Sequence, residues 1–147
     1  MAALKLAAEG VAELHLVNRT VAKAEKLASE ITGRFLHTKA SVGYPENAAD
    51  KIDLLLNATS LGLKPADALP LDESQFSLAN APAVFDMIYQ PAVTPLLAKA
   101  TDAGCRTANG LGMLLWQGAK AQEIWTGQAA PIDVMRAALE SHIYGDE

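Results

Sequence analysis

One cysteine, Cys105, is all the thiol chemistry in the chain. That excludes an intramolecular disulfide, and no second thiol stands at a spacing that would complete a zinc site. Cysteine used so sparingly fits a reducing compartment, and a cytoplasmic setting is expected. Positive charge is in deficit as well: 12 Lys and Arg face 17 Asp and Glu, a net charge of −5. Nucleic acid is therefore not expected as a partner, and any phosphate site has to be local. No apolar run approaches the ~20 residues of a membrane span, so no membrane role is expected. The start lacks the charged-then-apolar layout of a signal peptide. His15, His37 and His142 have no carboxylate or cysteine at a metal-ligand spacing, and no metal is expected. There is no internal repeat and no low-complexity segment. What remains is a chain half hydrophobic and one-fifth charged, the balance of a globular protein with a real core. Its 147 residues suggest one domain.

Apolar runs and helical periodicities alternate along the chain. Met1 to Glu9 is rich in helix formers and stops at Gly10, but no Ser, Thr, Asp or Asn precedes it as a cap. Leu14, Leu16 and Val17 make a short strand. Val21 to Ile31 reads as a helix ending at Gly33, with Val21, Ala24, Leu27, Ala28 and Ile31 at three- and four-residue spacing. A weak strand is expected over 34–38, then loop over 41–50. Asp53 to Asn57 is a continuous apolar run with a polar stop, as a strand buried on both faces would show. Residues 63–82, punctuated by prolines, read mostly as loop. Ala83 to Ile88 is a further buried strand. Thr94 caps a helix with Pro95 in its first position, and that helix stops at Gly104. Cys105 to Ala108 is a short strand. Met113 to Trp125 is a long helix with Gly127 as its C-terminal stop, and a last helix begins at Pro131. Such alternation is the pattern of a parallel sheet covered by helices, an α/β fold of about five strands.

The stretch Glu13 to Lys23 organises the rest. Asn18, Arg19 and Thr20 form a turn at the carboxyl end of a strand and open a helix, where parallel α/β sheets bind ligands. Folds that use NAD place an acid near here for the ribose hydroxyl, whereas folds that use NADP place a cation for the 2′-phosphate. This turn has no acid and offers Arg19 and Lys23 one helical turn apart. A guanidinium fork and the N–H groups of a helix start both favour a phosphate. On the turn alone, a phosphate clamp and an ordinary solvated basic turn are about evenly matched.

Three more loops follow at strand carboxyl ends: Asn57-Ala-Thr-Ser-Leu-Gly-Leu, Asp86-Met-Ile-Tyr-Gln-Pro-Ala-Val-Thr-Pro and Asn109-Gly-Leu-Gly-Met-Leu-Leu-Trp-Gln. In this order and spacing the four loops closely resemble the C-terminal nucleotide-binding domain of shikimate dehydrogenases, from about Leu4 to the last helix. The resemblance implies a Rossmann-like domain and NADP as cofactor. It implies that Asn18, Arg19, Thr20 and Lys23 hold the 2′-phosphate and that the loop Asn57, Ala58, Thr59 runs beside the cofactor. It places Met87 and Gly110 near the nicotinamide, Met113 against that ring, and Tyr89 and Gln117 at a small-molecule substrate, a hydroxylated cyclohexene carboxylate. The reaction implied is reversible reduction of 3-dehydroshikimate by NADPH. Side-chain chemistry agrees: Gln117 donates and accepts at once, Gly110 and Gly112 permit close approach of backbone, and Met113 is polarizable. Taken singly, Met113 as plain core, Tyr89 as an interface residue and Gln117 as a surface amide are the better readings; only the joint pattern reverses this. A stand-alone NADP-binding or interaction module and a quinate/shikimate paralogue are the alternative functions.

Two parts of the family pattern are absent. The substrate domain with its Lys and Asp for proton transfer has no counterpart, so no catalytic residue is assigned within this chain. The first strand and its Gly-x-Gly-Gly-Ala turn would precede the uncapped first helix. The chain alone is therefore expected to be inactive and to bind NADP weakly. That strand would lie between those at 13–17 and 53–57, and unpaired backbone groups there are costly. The expectation is that these two strands pair directly or that another chain covers them through self-association at the sheet edges.

Overall fold

The computed structural model describes residues 2–47, 52–64 and 66–145. The first helix, α1 (Ala2–Ala8), leads into β1 (Glu13–Leu16), α2 (Val21–Arg34) and β2 (Lys39–Val42). Then come β3 (Leu55–Asn57), a 3-10 turn at Leu78–Asn80, β4 (Ala83–Asp86), α3 (Pro95–Asp102), β5 (Arg106–Asn109), α4 (Leu111–Thr126) and α5 (Ile132–Tyr144). These fall into two compact units, Met1–Asp50 with Ser74–Ser77, and Lys51–Glu73 with Leu78–Glu147.

In the first unit β1 and β2 run parallel, Glu13 opposite Lys39 and Leu16 opposite Val42. The periodicity read for α2 is realised: Ala24, Ala28 and Ile31 are buried, one stripe at i, i+4 and i+7. Phe76 returns to this unit and stacks on Tyr44, ring centroids 6.3 Å apart. The second strand lies at 39–42, not 34–38. The helix continues through Gly33 and Arg34, where the Arg34–Glu30 pair at 2.7 Å joins successive turns. Phe35 N–H still donates to the Ile31 carbonyl. Thr38 then turns the chain, its buried hydroxyl donating to the Val11 carbonyl at 2.7 Å.

The second unit is a parallel sheet in the order β3-β4-β5. α3 packs on β4 and β5 through buried Leu96, Leu97 and Ala100. As expected, Thr94 caps this helix, its hydroxyl accepting from Leu97 N–H at 3.3 Å, with Pro95 in the first turn. Gly127 ends α4 in the left-handed region at φ 69°, a conformation glycine adopts without strain. α5 packs against α4 but buries none of its residues.

Among the described residues there are five parallel strands, as read from the sequence, but they form two sheets. Among the described residues no ladder joins β1 to β3, so the two flanking strands do not pair directly. β1 and β3 each keep one edge without a strand partner among the described residues. The run at 53–57 is correspondingly not buried on both faces: Leu54 is 44% exposed, Leu55 and Leu56 are half-buried, and only Asn57 is fully enclosed. The strand itself is three residues long. No described helix is long and apolar enough to cross a membrane.

Candidate cofactor and substrate site

The basic turn of the first unit is built by Asn18. Its side-chain oxygen accepts from Thr20 N–H at 2.8 Å, an Asx turn that fixes the entry to α2. Thr20 is the N-cap residue, yet its side chain caps nothing, and the first turn of α2 holds no acid. Arg19 and Lys23 are exposed, and neither forms a salt bridge with a described residue. Two uncommitted cations therefore stand at a helix start whose N–H groups also attract negative charge. The histidines of this unit are engaged within it. His37 Nε2 donates to the Ala7 carbonyl at 3.0 Å, and His15 Nδ1 lies 2.9 Å from the Ser41 hydroxyl. No group of residues able to hold a metal occurs among the described residues.

In the second unit the three strands end in register on polar residues, Asn57 opposite Asp86 and Asp86 opposite Asn109. Asp86 is fully buried. One carboxylate oxygen accepts from Asn57 Nδ2 at 2.9 Å and Ile88 N–H at 3.1 Å, and the other from the Thr94 hydroxyl at 2.7 Å. Asn57 gives its second amide hydrogen to the Leu61 carbonyl at 3.1 Å. Its oxygen accepts from Thr59 N–H at 3.0 Å and the Thr59 hydroxyl at 2.8 Å. All four valences of the Asn57 amide are thus used inside the protein. Its side chain holds the loop, leaving the exposed Ala58, Thr59 and Ser60 as the residues that face solvent.

The loop continues into a second clamp. Asp67 Oδ2 accepts from Gly62 N–H at 3.1 Å and Lys64 N–H at 3.0 Å. These backbone donors, Lys64 first, hold its carboxyl below the ordinary aspartate value. A depressed folded pKa contributes stability above the unfolded value of ~3.9, and that contribution is lost as pH falls through the folded one. Amide exchange at Gly62 and Lys64 should therefore lose protection as pH drops below ~3.9. Asp67→Asn should show the same loss at neutral pH.

Gly110, Met113 and Gln117 lie at the start of α4. Gly110 has an ordinary backbone, φ −73°, yet a Cβ there would stand 2.0 Å from the Met87 carbonyl oxygen. Its missing side chain admits the Met87 backbone, and its N–H donates to Ile88 O at 3.1 Å. Gly112, by contrast, has nothing within 4 Å of a Cβ. Met113 is 45% exposed and Gln117 is exposed one turn further on, a spacing that puts both on one helix face. Tyr89 is half-buried. An open groove of about 650 Å³ is lined by Phe85, Val93, Leu97, Met113, Arg136 and Tyr144 among others. Of the residues assigned from sequence to cofactor and substrate, Met113 alone lines it.

Sequence reasoning missed Asp86, Asn109, Asp67 and Tyr144. Asp86 is signalled as the polar break after Ala83-Val84-Phe85 and Asn109 as the polar residue before a Gly-x-Gly helix start, but their partners follow only from register. Asn109 donates to Ala92 O at 2.9 Å and accepts from Leu111 N–H at 3.0 Å.

Parallel strands bearing their polar loops at the carboxyl ends, with a basic turn at a helix start, define an α/β protein of the dinucleotide-binding kind. The chain is similar to known dehydrogenases and reductases. The family model of the shikimate 5'-dehydrogenase C-terminal domain matches residues 110–140. An NADP-dependent shikimate dehydrogenase of Natronomonas pharaonis is 43% identical over 145 residues, covering 97% of this chain and 51% of that protein. A crystal structure of a shikimate dehydrogenase in complex with NADP+ superposes with a TM-score of 0.78 at 36% identity, over 96% of this chain and 50% of that one. The ligand-free 5-ketofructose reductase of a Gluconobacter strain has a TM-score of 0.75 at 32% identity, over 97% and 53%. The chain is similar to these proteins and spans about half the length of the curated relatives it matches.

Proposed function

We propose that this chain is the NADP-binding half of a cytoplasmic shikimate dehydrogenase. The observation that carries the reading is the acid-free turn with two unpaired cations, which fits a 2′-phosphate by charge and by donor geometry. Asn18, Arg19, Thr20 and Lys23 would hold that phosphate. Ala58 and Thr59 would lie along the cofactor on the loop that Asn57 anchors, with Met87, Gly110 and Met113 toward its nicotinamide. NADPH, when bound, supplies the hydride that reduces the ketone of 3-dehydroshikimate. Tyr89 and Gln117 would orient the substrate through its hydroxyl and carboxylate groups. Proton transfer belongs to the remaining half of the enzyme. Among the described residues β1 and β3 each have a free edge, which allows pairing with a further strand or self-association.

Fluorescence titration of the chain with NADPH and NADH tests the cofactor assignment. NADPH should bind more tightly, and Arg19→Ala should weaken it about 10- to 100-fold while leaving NADH unchanged, the range for losing a charge-assisted hydrogen bond. Equal affinity for the two cofactors would overturn the clamp. The likeness to a 5-ketofructose reductase supports a second reading, the same cofactor half serving a different polyhydroxy ketone. Assay of the full-length enzyme with shikimate, quinate and 5-ketofructose separates these.

A further inference from the structure

The helix α5 buries none of its residues, yet its final residue reaches into the polar row of the second unit. The Tyr144 hydroxyl donates to the Tyr89 carbonyl at 2.8 Å and accepts from Asn109 Nδ2 at 3.0 Å. Asn109 Nδ2 donates also to Ala92 O, and its side-chain oxygen receives Leu111 N–H at the start of α4. One hydroxyl therefore ties together the 89–92 loop, the end of β5 and the opening of α4, segments 55 and 35 residues away in the chain. Both bonding directions of the phenol are used, which fixes its proton toward Tyr89. Because the bond is to the main chain of Tyr89, it sets where that residue sits without engaging the Tyr89 ring. Side chains of ordinary packing value could hold α5 against α4; a phenol is needed only to satisfy these polar partners.

We propose that Tyr144 is a positioning residue whose hydroxyl clasps the 89–92 loop and so places the Tyr89 side chain at the substrate. The substrate part rests on the role given to Tyr89 above; the clasp does not. Tyr144→Phe keeps the ring and removes only the hydroxyl. In the chain itself, amide exchange at Tyr89, Gln90 and Ala92 should rise about three- to tenfold, the range for losing one neutral hydrogen bond, with exchange in α2 unchanged. In the full-length enzyme the KM for the hydroxylated acid should rise by a similar factor with the KM for NADPH unmoved. Unchanged exchange in the 89–92 loop would overturn the clasp, as would a uniform rise across the chain, which marks a merely structural role. An unmoved substrate KM, while Tyr89→Phe raises it, would overturn the positioning. If neither variant moves that KM but the loop exchange rises, the clasp stands and the substrate role of Tyr89 fails.

Discussion

Gly110→Ala should destabilise the second unit by about 3 kcal/mol or more, the upper range for overpacking a closed site. The backbone at Gly110 already has the φ of an ordinary residue, −73°, so conformational strain contributes nothing. The effect is steric. An alanine methyl would stand 2.0 Å from the Met87 carbonyl oxygen and 2.7 Å from its carbon, inside any tolerable contact. Neither side can yield cheaply. Met87 N–H is bonded to the Asn57 carbonyl at 3.0 Å, and Gly110 N–H to Ile88 O at 3.1 Å. Opening the contact means breaking the bonds that join the end of β4 to β3 on one side and to β5 on the other. Gly112→Ala is the matched control. Nothing lies within 4 Å of its would-be Cβ, and alanine is favoured over glycine inside a helix by about 1 kcal/mol. That variant should be neutral or slightly stabilising by urea midpoint. If Gly112 is glycine for the sake of a ligand, it should lose NADPH affinity without losing stability.

The contrast between these glycines shows what was legible in the sequence and what was not. Gly-x-Gly between a strand and a helix announces close approach, but not of what. The structure assigns the first glycine to the protein's own backbone, at Met87, and leaves the second facing open space. Element types were legible because they depend on local patterns: the spacing of Ala24, Ala28 and Ile31, the Thr94-Pro95 cap, the Gly127 stop. The second strand was misplaced because Gly33 carries no stop signal once the Arg34–Glu30 pair and the Thr38 hydroxyl bond favour another helical turn. That five strands form two sheets could not be read from strand patterns, since an edge strand and a central strand share the same apolar run. The basic turn was legible because its features are local, an acid absent and two cations present. The polar row was not. Asn57, Asp86 and Asn109 come from three strands, and only their register brings them together.

Asp86 is where that register matters most, and Asp86→Ala should cost about 3–5 kcal/mol. Three donors converge on its carboxylate: the Asn57 amide, the Ile88 N–H and the Thr94 hydroxyl. An unsatisfied buried donor costs roughly 1–3 kcal/mol, and partial rearrangement or an entering water keeps the total below the sum. The Thr94 hydroxyl is also the acceptor that caps α3 at Leu97, so the cut reaches the helix start. Asp86→Asn should lose less, about 1–2 kcal/mol, because its amide keeps one acceptor oxygen while setting a donor against a donor. Asn57→Ala frees the Thr59 and Leu61 ends of the same loop. Combined with Asp86→Ala it should destabilise by clearly less than the two single costs together, since both cut one shared bond. Urea titration of the four proteins in that cycle decides the matter. Additive costs would mean that the Asn57–Asp86 bond couples nothing, and that the loop beside the proposed cofactor is held from elsewhere. A strong coupling would mean that the same carboxylate holding β4 to the cap of α3 also sets the shape of the Ala58–Thr59 loop. Weak NADPH binding in Asp86→Ala, with Arg19 intact, would then follow from a misplaced loop and not from a lost contact.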